Sequence, residues 1–474
     1  MRTVFDDTIC APATAAGGAL AIIRVSGAEA VAKVSALFRP VSRPDGTSGS
    51  PLADAPGYTL HFGTINDGES VLDEVVAAVY RNPRSYTGED CVELSCHGSP
   101  YIVERILALL TASGVRMAAP GEFTQRAFLA GRMDLAQAEA VADVIASQTA
   151  AAHRVALNQL RGGFSDELSG MRDELLEIAS LIELELDFGE EDVEFADRGR
   201  LGNLLSLVRS HIGRLIESFR LGNAIKNGVP VAIVGKTNAG KSTLLNAILG
   251  EERAIVSDIP GTTRDTIEET FNIDGTLFRL IDTAGLRESS DRIEQIGISR
   301  AYEKLATAQI VIGMLDLTTP LPDLTASAWQ IADSLSGGQA LILWLNKADA
   351  VHPKIIAAAQ DGFSELTAKH AAILLAGSAK LGTGLDALRE ALSATWSRLG
   401  AATESSLVTN TRHLEALRLA NEALGRVESG MGNVPTDLLA QDLREALFHI
   451  GTITGTVTND EILGEIFSKF CIGK

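Results

Sequence analysis

Four cysteines are all that 474 residues contain, at positions 10, 91, 96 and 471. None forms a Cys-x-x-Cys pair, and no zinc-ligand spacing appears, which points to a reducing compartment. Basic residues are also scarce: 41 Lys and Arg stand against 61 Asp and Glu, a net charge of −20. That balance opposes non-specific binding to nucleic acid or anionic membrane, although a local patch or a partner can still present RNA. No run of about 18 strongly apolar residues exists, so no membrane span is expected. Residues 8–23 are uncharged but follow Asp6-Asp7 instead of a basic stretch, which argues against a signal peptide. A cytoplasmic protein is the expectation. Proline is missing from 121 to 229, where Ala, Leu, Glu and Arg dominate.

The length implies two or three domains. Residues 1–120 read as mixed α and β: "GALAIIRVSG" and "VLDEVVAAVY" have strand character, and "YIVERILALLTASG" reads as a helix closed by Gly114. Residues 39–57, rich in Pro, Gly and Ser, are expected to be a loop. The proline-free stretch places apolar residues at helical spacing, as in "ELLEIASLIELELDF", and 399–474 resembles it. Between them, 222–398 alternates β-rich runs with helical patterns, the mark of a doubly wound sheet. The expected fold is α/β. An N-terminal α+β domain (1–120) precedes a helical domain (121–221 and 399–474) into which a P-loop domain (222–398) is inserted.

"VAIVGKTNAGKSTLLNAI" carries the chemistry. An apolar strand runs into Gly235-x4-Gly240-Lys241-Ser242 and then a helix, the required context for a phosphate loop. Backbone N–H groups of Asn238, Ala239, Gly240 and Thr243 wrap phosphate, Lys241 reaches the β- and γ-phosphates, and the Ser242 hydroxyl suits Mg²⁺. Further motifs follow in order. "SDIPGTTRD" supplies Ser257, Asp258, Ile259, Pro260, Gly261, Thr262 and Thr263, a threonine there meeting Mg²⁺ and the γ-phosphate. Asp282-Thr283-Ala284-Gly285 is an Asp-x-x-Gly element after a hairpin that turns at 274–275. Asn346-Lys347-Ala348-Asp349 offers a carboxylate that accepts from guanine N1–H and its 2-amino group, which adenine lacks. Ser378-Ala379-Lys380 completes the base pocket. Each motif is weak alone, and the ordered set specifies a guanine nucleotide. Leu286 stands where Ras-type proteins carry a water-orienting glutamine. Glu288, Asp291 and Glu294 are candidates for that work, or are simply an acidic helix. Arg264 and Arg287 are candidate arginine fingers.

The "GxxNAGKST", "GTTRD", "DTAGLR…IEQIGI", "YTGED", "PGEFTQRAFLAGRMDLAQAEAVADVI" and terminal "FCIGK" segments together resemble the MnmE (TrmE) tRNA-modification GTPase family. Its phosphate loop often has Arg-Pro where this chain has Lys236-Thr237. The resemblance implies that K⁺ replaces an arginine finger, held by Asn238, Ser257, Ile259 and Thr262, with Mg²⁺ on Ser242 and Thr263. It implies Glu294 as the catalytic glutamate. It implies a homodimer, a flavoprotein partner MnmG (FAD entering only through that partner), and tRNA as substrate, with no membrane. It implies a tetrahydrofolate derivative (5,10-methylene or 5-formyl) bound by Arg24, Glu93, Arg132 and Lys474. Glu93 could accept paired hydrogen bonds from a pterin ring, and the arginines could meet ligand carboxylate or carbonyl groups, or form ordinary salt bridges. His97 beside Cys96 is read as a satisfied strand-end histidine for want of a third ligand.

Cys471 leaves three readings. A prenylation signal is disfavoured because Lys474 ends the motif and no polybasic run precedes it. The resemblance implies a functional thiol, nucleophile or acid/base, and a packing residue is the third. A ribosome-assembly GTPase of the Era-like kind shares the nucleotide motifs, but would carry a basic KH-type module with a GXXG clamp, which is not evident here.

Overall fold

The computed structural model describes residues 6–41, 51–187, 198–252, 269–281, 307–336, 338–400, 407–431, 434–458, 460–468, 470 and 473. Two compact units divide the chain: Met1–Ala142 with Gln159–Ser180 and Ala440–Lys474, and Asp143–Asn158 with Leu181–Leu439.

The first unit holds a seven-stranded sheet. Its strands are β1 (Ile9–Pro12), β2 (Leu20–Ser26), β3 (Phe38–Pro40), β4 (Thr59–Asp67), β5 (Ser70–Tyr80), β6 (Cys91–His97) and β7 (Arg116–Met117), in the order β3-β4-β5-β6-β2-β1-β7. Only β1 and β7 run parallel. Alternation along the strands turns Ile23, Val25, Val75, Val79 and Leu94 to one face. There α1 (Ala30–Leu37) and α2 (Pro100–Ala112) cover them with Val34, Ile106 and Leu110. Proline in the first turn opens α2, and Gly114 at φ +94° follows its end. Within the expected loop at 39–57, two described pieces are regular. Arg39-Pro40 belong to β3, an edge strand where proline's missing donor is tolerated, and Leu52–Asp54 form a 3₁₀ turn.

The proline-free stretch is helical: α3 (Glu122–Leu129), α4 (Leu135–Ala146), α5 (Ala150–Leu160), α6 (Gly163–Asp187) and α7 (Arg198–Asn227). Helix α7 runs unbroken through position 222 and stops before Gly228, at φ +90°.

The second unit holds a six-stranded sheet of β8 (Val229–Val234), β9 (Glu269–Ile273), β10 (Thr276–Ile281), β11 (Ile310–Asp316), β12 (Ala340–Asn346) and β13 (Ile373–Ala376). The order is β13-β12-β11-β8-β10-β9, parallel throughout except for the β9–β10 hairpin. Asp274 and Gly275, at φ +50° and +77°, make the turn expected from the Asp-Gly pair. Continuous apolar runs are buried on both faces. Helices α8 (Lys241–Glu252) and α12 (Leu385–Gly400) cover Val231, Phe278 and Trp344 on one side. Helices α9 (Leu321–Asp333), α10 (Pro353–Gly362) and α11 (Ser364–His370) cover Val311, Leu343 and Leu345 on the other.

Helix α13 (Thr411–Gly430) follows the α/β segment and packs against α7, which precedes it. Arg209 of α7 pairs with Glu428 and reaches Asn421, and Val408 N–H donates to Ser218 Oγ at 3.1 Å. Helical segments before and after the α/β insertion therefore pack together, as expected. Helices α14 (Thr436–Thr454) and α15 (Asp460–Ser468) follow, and α15 sets Leu463, Ile466 and Phe467 on Leu135 and Ala138. Among the described residues no helix is long and apolar enough to cross a membrane.

Candidate functional site

The phosphate loop forms because β8 ends inside the sheet and the chain must turn at once into α8. Gly235 passes so close to the Met314 carbonyl that a Cβ would collide with it, and a Cβ on Gly240 would strike Asn346 Nδ2. Asn238 adopts φ +60°, a left-handed conformation that Asn tolerates. Lys241, at the first turn of α8, donates to the Gly235 and Lys236 carbonyls at 2.7 and 2.8 Å. Burial lowers its pKa. The loop's own carbonyls thus hold the ammonium over the place where phosphates would lie.

Asn346 ends β12 and is 3% exposed. Its Nδ2 donates to Ala239 O at 2.7 Å, and its Oδ1 accepts from Ala379 N at 2.9 Å. One side chain thereby ties the phosphate loop to the Ser378-Ala379-Lys380 loop. Lys347, at φ +62°, turns its ammonium onto Asp316 Oδ2 at 2.7 Å. Burial raises the Asp316 pKa, but hydrogen bonds from Lys347 and Thr318 outweigh it, and the net shift is downward. Ala348 N–H donates to Gly377 O at 3.1 Å. Asn238, Lys241, Ser242, Asp349, Ser378 and Lys380 all line one cleft of about 560 Å³. The exposed Ser242 hydroxyl and the Asn238 side-chain carbonyl are hard oxygen donors of the kind Mg²⁺ and K⁺ take. Ser257, Asp258, Ile259, Pro260, Gly261, Thr262, Thr263, Asp282, Thr283, Ala284, Gly285 and Glu294 lie outside the described residues, as do Arg264, Leu286, Arg287, Glu288 and Asp291.

In the first unit Arg24 and Glu93 are register partners on β2 and β6. Arg24 Nε and Nη2 each lie 2.8 Å from Glu93 Oε1, with the side chains 16% and 22% exposed. The guanidinium also sits over the Tyr86 and Phe123 rings, at 5.3 and 5.6 Å. Its Nη1 donates to the Gly473 carbonyl at 3.3 Å. Gly473 is at φ +97°, where a Cβ would collide with Pro12 O, so glycine is required for the tail to lie there. The two predicted ligands are thus each other's partners. Arg132 is exposed with its stem beside Gly88, in the loop that carries Tyr86. Among the described residues no hydrogen bond joins it to Arg24 or Glu93. Cys471 and Lys474 lie outside the described residues.

Beneath this cluster is a network that sequence reasoning missed. Arg126, 2% exposed, donates to Asp7, Glu89 and Glu122. Glu89 accepts from Ser26 Oγ at 2.8 Å, and Arg116 binds both Asp7 and Glu122. Tyr86 and Thr124 hydroxyls are 2.8 Å apart. The network fixes α3, and with it Phe123, against the loop that bears Tyr86. Its signal lay in "YTGED" and "PGEFTQRAF", whose acids and arginine were noted only as family motifs. Asp316, the partner of Lys347, and Trp344, the partner of Asn346, were likewise not singled out by their sequence context.

His97 Nδ1 lies 2.7 Å from Asp73 Oδ1, a satisfied strand-end histidine as expected. Cys10, Cys91 and Cys96 are buried, and burial pushes their thiols up to about 11, 12 and 11. These are packing residues, not nucleophiles. Among the described residues no group of three His, Cys, Asp or Glu is placed to hold a metal ion.

Comparison with known proteins gives a consistent answer. The family described as "MnmE helical domain" matches residues 135–471, and "GTP-binding protein TrmE N-terminus" matches 8–132. The tRNA modification GTPase MnmE of Bacteroides fragilis is 51% identical over 471 residues, 99% of each chain. That of Bacteroides thetaiotaomicron is 50% identical over 473, and that of Flavobacterium johnsoniae 48% over 473, again 99% of each chain. Among solved structures, a GTP-binding protein of Sulfolobus solfataricus in complex with GDP aligns with 48% of this chain and 67% of its own, at 20% identity and a TM-score of 0.30, too low to bear on the assignment. At half identity over nearly the whole of both chains, this chain belongs to the MnmE family of tRNA modification GTPases.

Proposed function

We propose that the chain is a K⁺-activated GTP hydrolase that acts with the flavoprotein MnmG on the wobble uridine of certain tRNAs. The pair installs a carboxymethylaminomethyl or aminomethyl group at carbon 5, using a one-carbon unit from a tetrahydrofolate derivative. The reading includes a homodimer in the cytoplasm, with FAD carried by the partner. The domain division follows it: folate binding and dimerisation in 1–120, helical segments at 121–221 and 399–474, and the G domain in 222–398.

One observation carries the nucleotide reading: Asn346 bonds both to Ala239 and to Ala379. Lys241 and Asp349, the residues this reading assigns to phosphate and base, line the same cleft. In this reading Asp349 would accept from guanine, Ser378, Ala379 and Lys380 would complete the base pocket, and the loop N–H groups from Asn238 to Thr243 would hold phosphate. Ser242 and Thr263 would hold Mg²⁺, and Asn238, Ser257, Ile259 and Thr262 would hold K⁺. The cations supply positive charge against that developing on the phosphates. Asp282 and Gly285 would meet Mg²⁺ and the γ-phosphate, and Glu294 would position water in place of the glutamine that Leu286 displaces. For folate, the Arg24–Glu93 pair presents a donor and an acceptor side by side, and Arg132 and Lys474 would be further contacts. Cys471 serves as the thiol near that site.

The test is GTP turnover in KCl against NaCl, for the wild type and Asp349→Asn. Faster turnover in K⁺, with a switch of preference from GTP to XTP in the variant, supports the reading. Equal turnover in both salts removes the K⁺ assignment, and GTP preference retained by the variant removes the base assignment.

A further inference from the structure

The guanine-recognition element of this chain rests on a buried indole. Trp344 lies two residues before Asn346 on β12 and is fully buried. Its Nε1–H points at Asn346 Oδ1, 3.3 Å away. An indole N–H only donates, and a side-chain amide has one acceptor end and one donor end. Asn346 Oδ1 therefore faces two donors, Trp344 Nε1 and Ala379 N, while its Nδ2 faces the Ala239 carbonyl. A reversed amide would set its NH₂ against two N–H groups and its oxygen against a carbonyl oxygen. The indole thus removes the alternative orientation in a buried place where an unmade hydrogen bond is costly.

The same ring shapes the base loop. Its Cη2 edge occupies the space where Gly377 and Gly384 would carry side chains, 2.5 and 3.1 Å from the ideal Cβ positions. Gly377 N–H donates to Leu345 O, and Ser378 N–H donates to Thr383 O, so the backbone bearing Ser378 and Ala379 closes over the indole. We propose that Trp344 is a positioning residue for guanine specificity: it orients the Asn346 strut and sets the path of the Ser378-Ala379 loop. The proposal rests on the nucleotide reading above. It adds a residue that sits outside the recognition motif and never reaches the nucleotide itself.

The test uses the full chain with Trp344→Phe, which keeps a buried ring and deletes the donor. Affinities for GDP and ADP are measured by calorimetry, KM and kcat for GTP by phosphate release, and folding by thermal melt. The expected result is GDP affinity and KM worse by about three- to tenfold, the loss of one hydrogen bond. Hydrolysis at saturation and ADP affinity should stay unchanged, so the GDP-to-ADP ratio falls. GDP affinity equal to wild type in a folded variant overturns the proposal while leaving the nucleotide reading intact. Failure of the wild type to prefer GDP over ADP overturns the nucleotide reading itself. Should the variant melt early, Trp329→Phe/Trp396→Phe leaves Trp344 as the sole tryptophan, excited selectively at the red edge of its absorption. Its emission is then expected to shift when GDP binds and not when ADP is added; an unmoved emission at saturating GDP contradicts the proposal.

Discussion

Arg24 and Glu93 face each other across β2 and β6 at 2.8 Å, with the guanidinium over the Tyr86 and Phe123 rings. Contact with a ligand or an ordinary salt bridge were the two expectations for Arg24, and its partner proves to be Glu93 itself. Glu93→Gln removes a charge from beside Arg24 and an acceptor from any bound pterin. Reduced-folate affinity should fall about tenfold or more, with GTP turnover unchanged. Calorimetry with 5-formyltetrahydrofolate checks it, and wild-type affinity in the variant contradicts the folate assignment.

Gly473 is held between Arg24 and Pro12 at a φ that L side chains resist. Gly473→Ala should lift the tail from Arg24 without disturbing the nucleotide cleft. Wobble-uridine modification is expected to drop while GTP turnover stays at wild-type level, measured side by side on one preparation.

The Arg126 network makes a pH prediction. Burial acts to raise Asp7 and Glu122, but hydrogen bonds from Arg116 and Arg126 outweigh it. Both therefore titrate below their ordinary values of 3.8 and 4.5. Carboxyls depressed in the folded state contribute stability that is full above the ordinary values and lost as pH falls through the depressed ones. Melting temperature should hold steady at neutral pH and decline below about pH 4.5. Arg126→Met, which takes the guanidinium from buried Glu89 and leaves Glu122 to Arg116 alone, should cost about 3–5 kcal/mol at neutral pH. A flat acid profile would remove the network as a source of stability.

Cys10, Cys91 and Cys96 should resist alkylation in the native protein near neutral pH, since burial keeps their thiols protonated. Peptide mapping after iodoacetamide is expected to find no label on these three. Rapid labelling of any of the three buried residues would contradict their role as core.

What the sequence made legible was local. The phosphate loop, the Asp274-Gly275 turn and the Asn346-Lys347-x-Asp349 run each fit within a few contiguous residues whose backbone demands are specific. What it hid was paired at long range. Arg126 meets Asp7 across 119 positions, Lys347 meets Asp316 across 31, and Arg24 meets Glu93 across 69. No spacing rule links such partners; only sheet register and helix docking bring them together. Trp344 read as one more apolar residue of a buried strand, because nothing in "LILWLNKAD" says where its N–H points. Pro40 was misread for the opposite reason: a loop-like composition, placed at a sheet edge, costs no ladder bond.

The central claim is that nucleotide hydrolysis in the Lys241 cleft serves tRNA modification. Mass spectrometry of wobble uridine, in tRNA from a strain lacking this gene, tests it most directly. The strain would be rescued with wild type or Lys241→Ala at equal protein levels. Turnover by the variant should fall about a hundredfold or more. The account predicts that wild type restores the carbon-5 modification and the variant does not. Restoration by the variant, or none by the wild type, would contradict it.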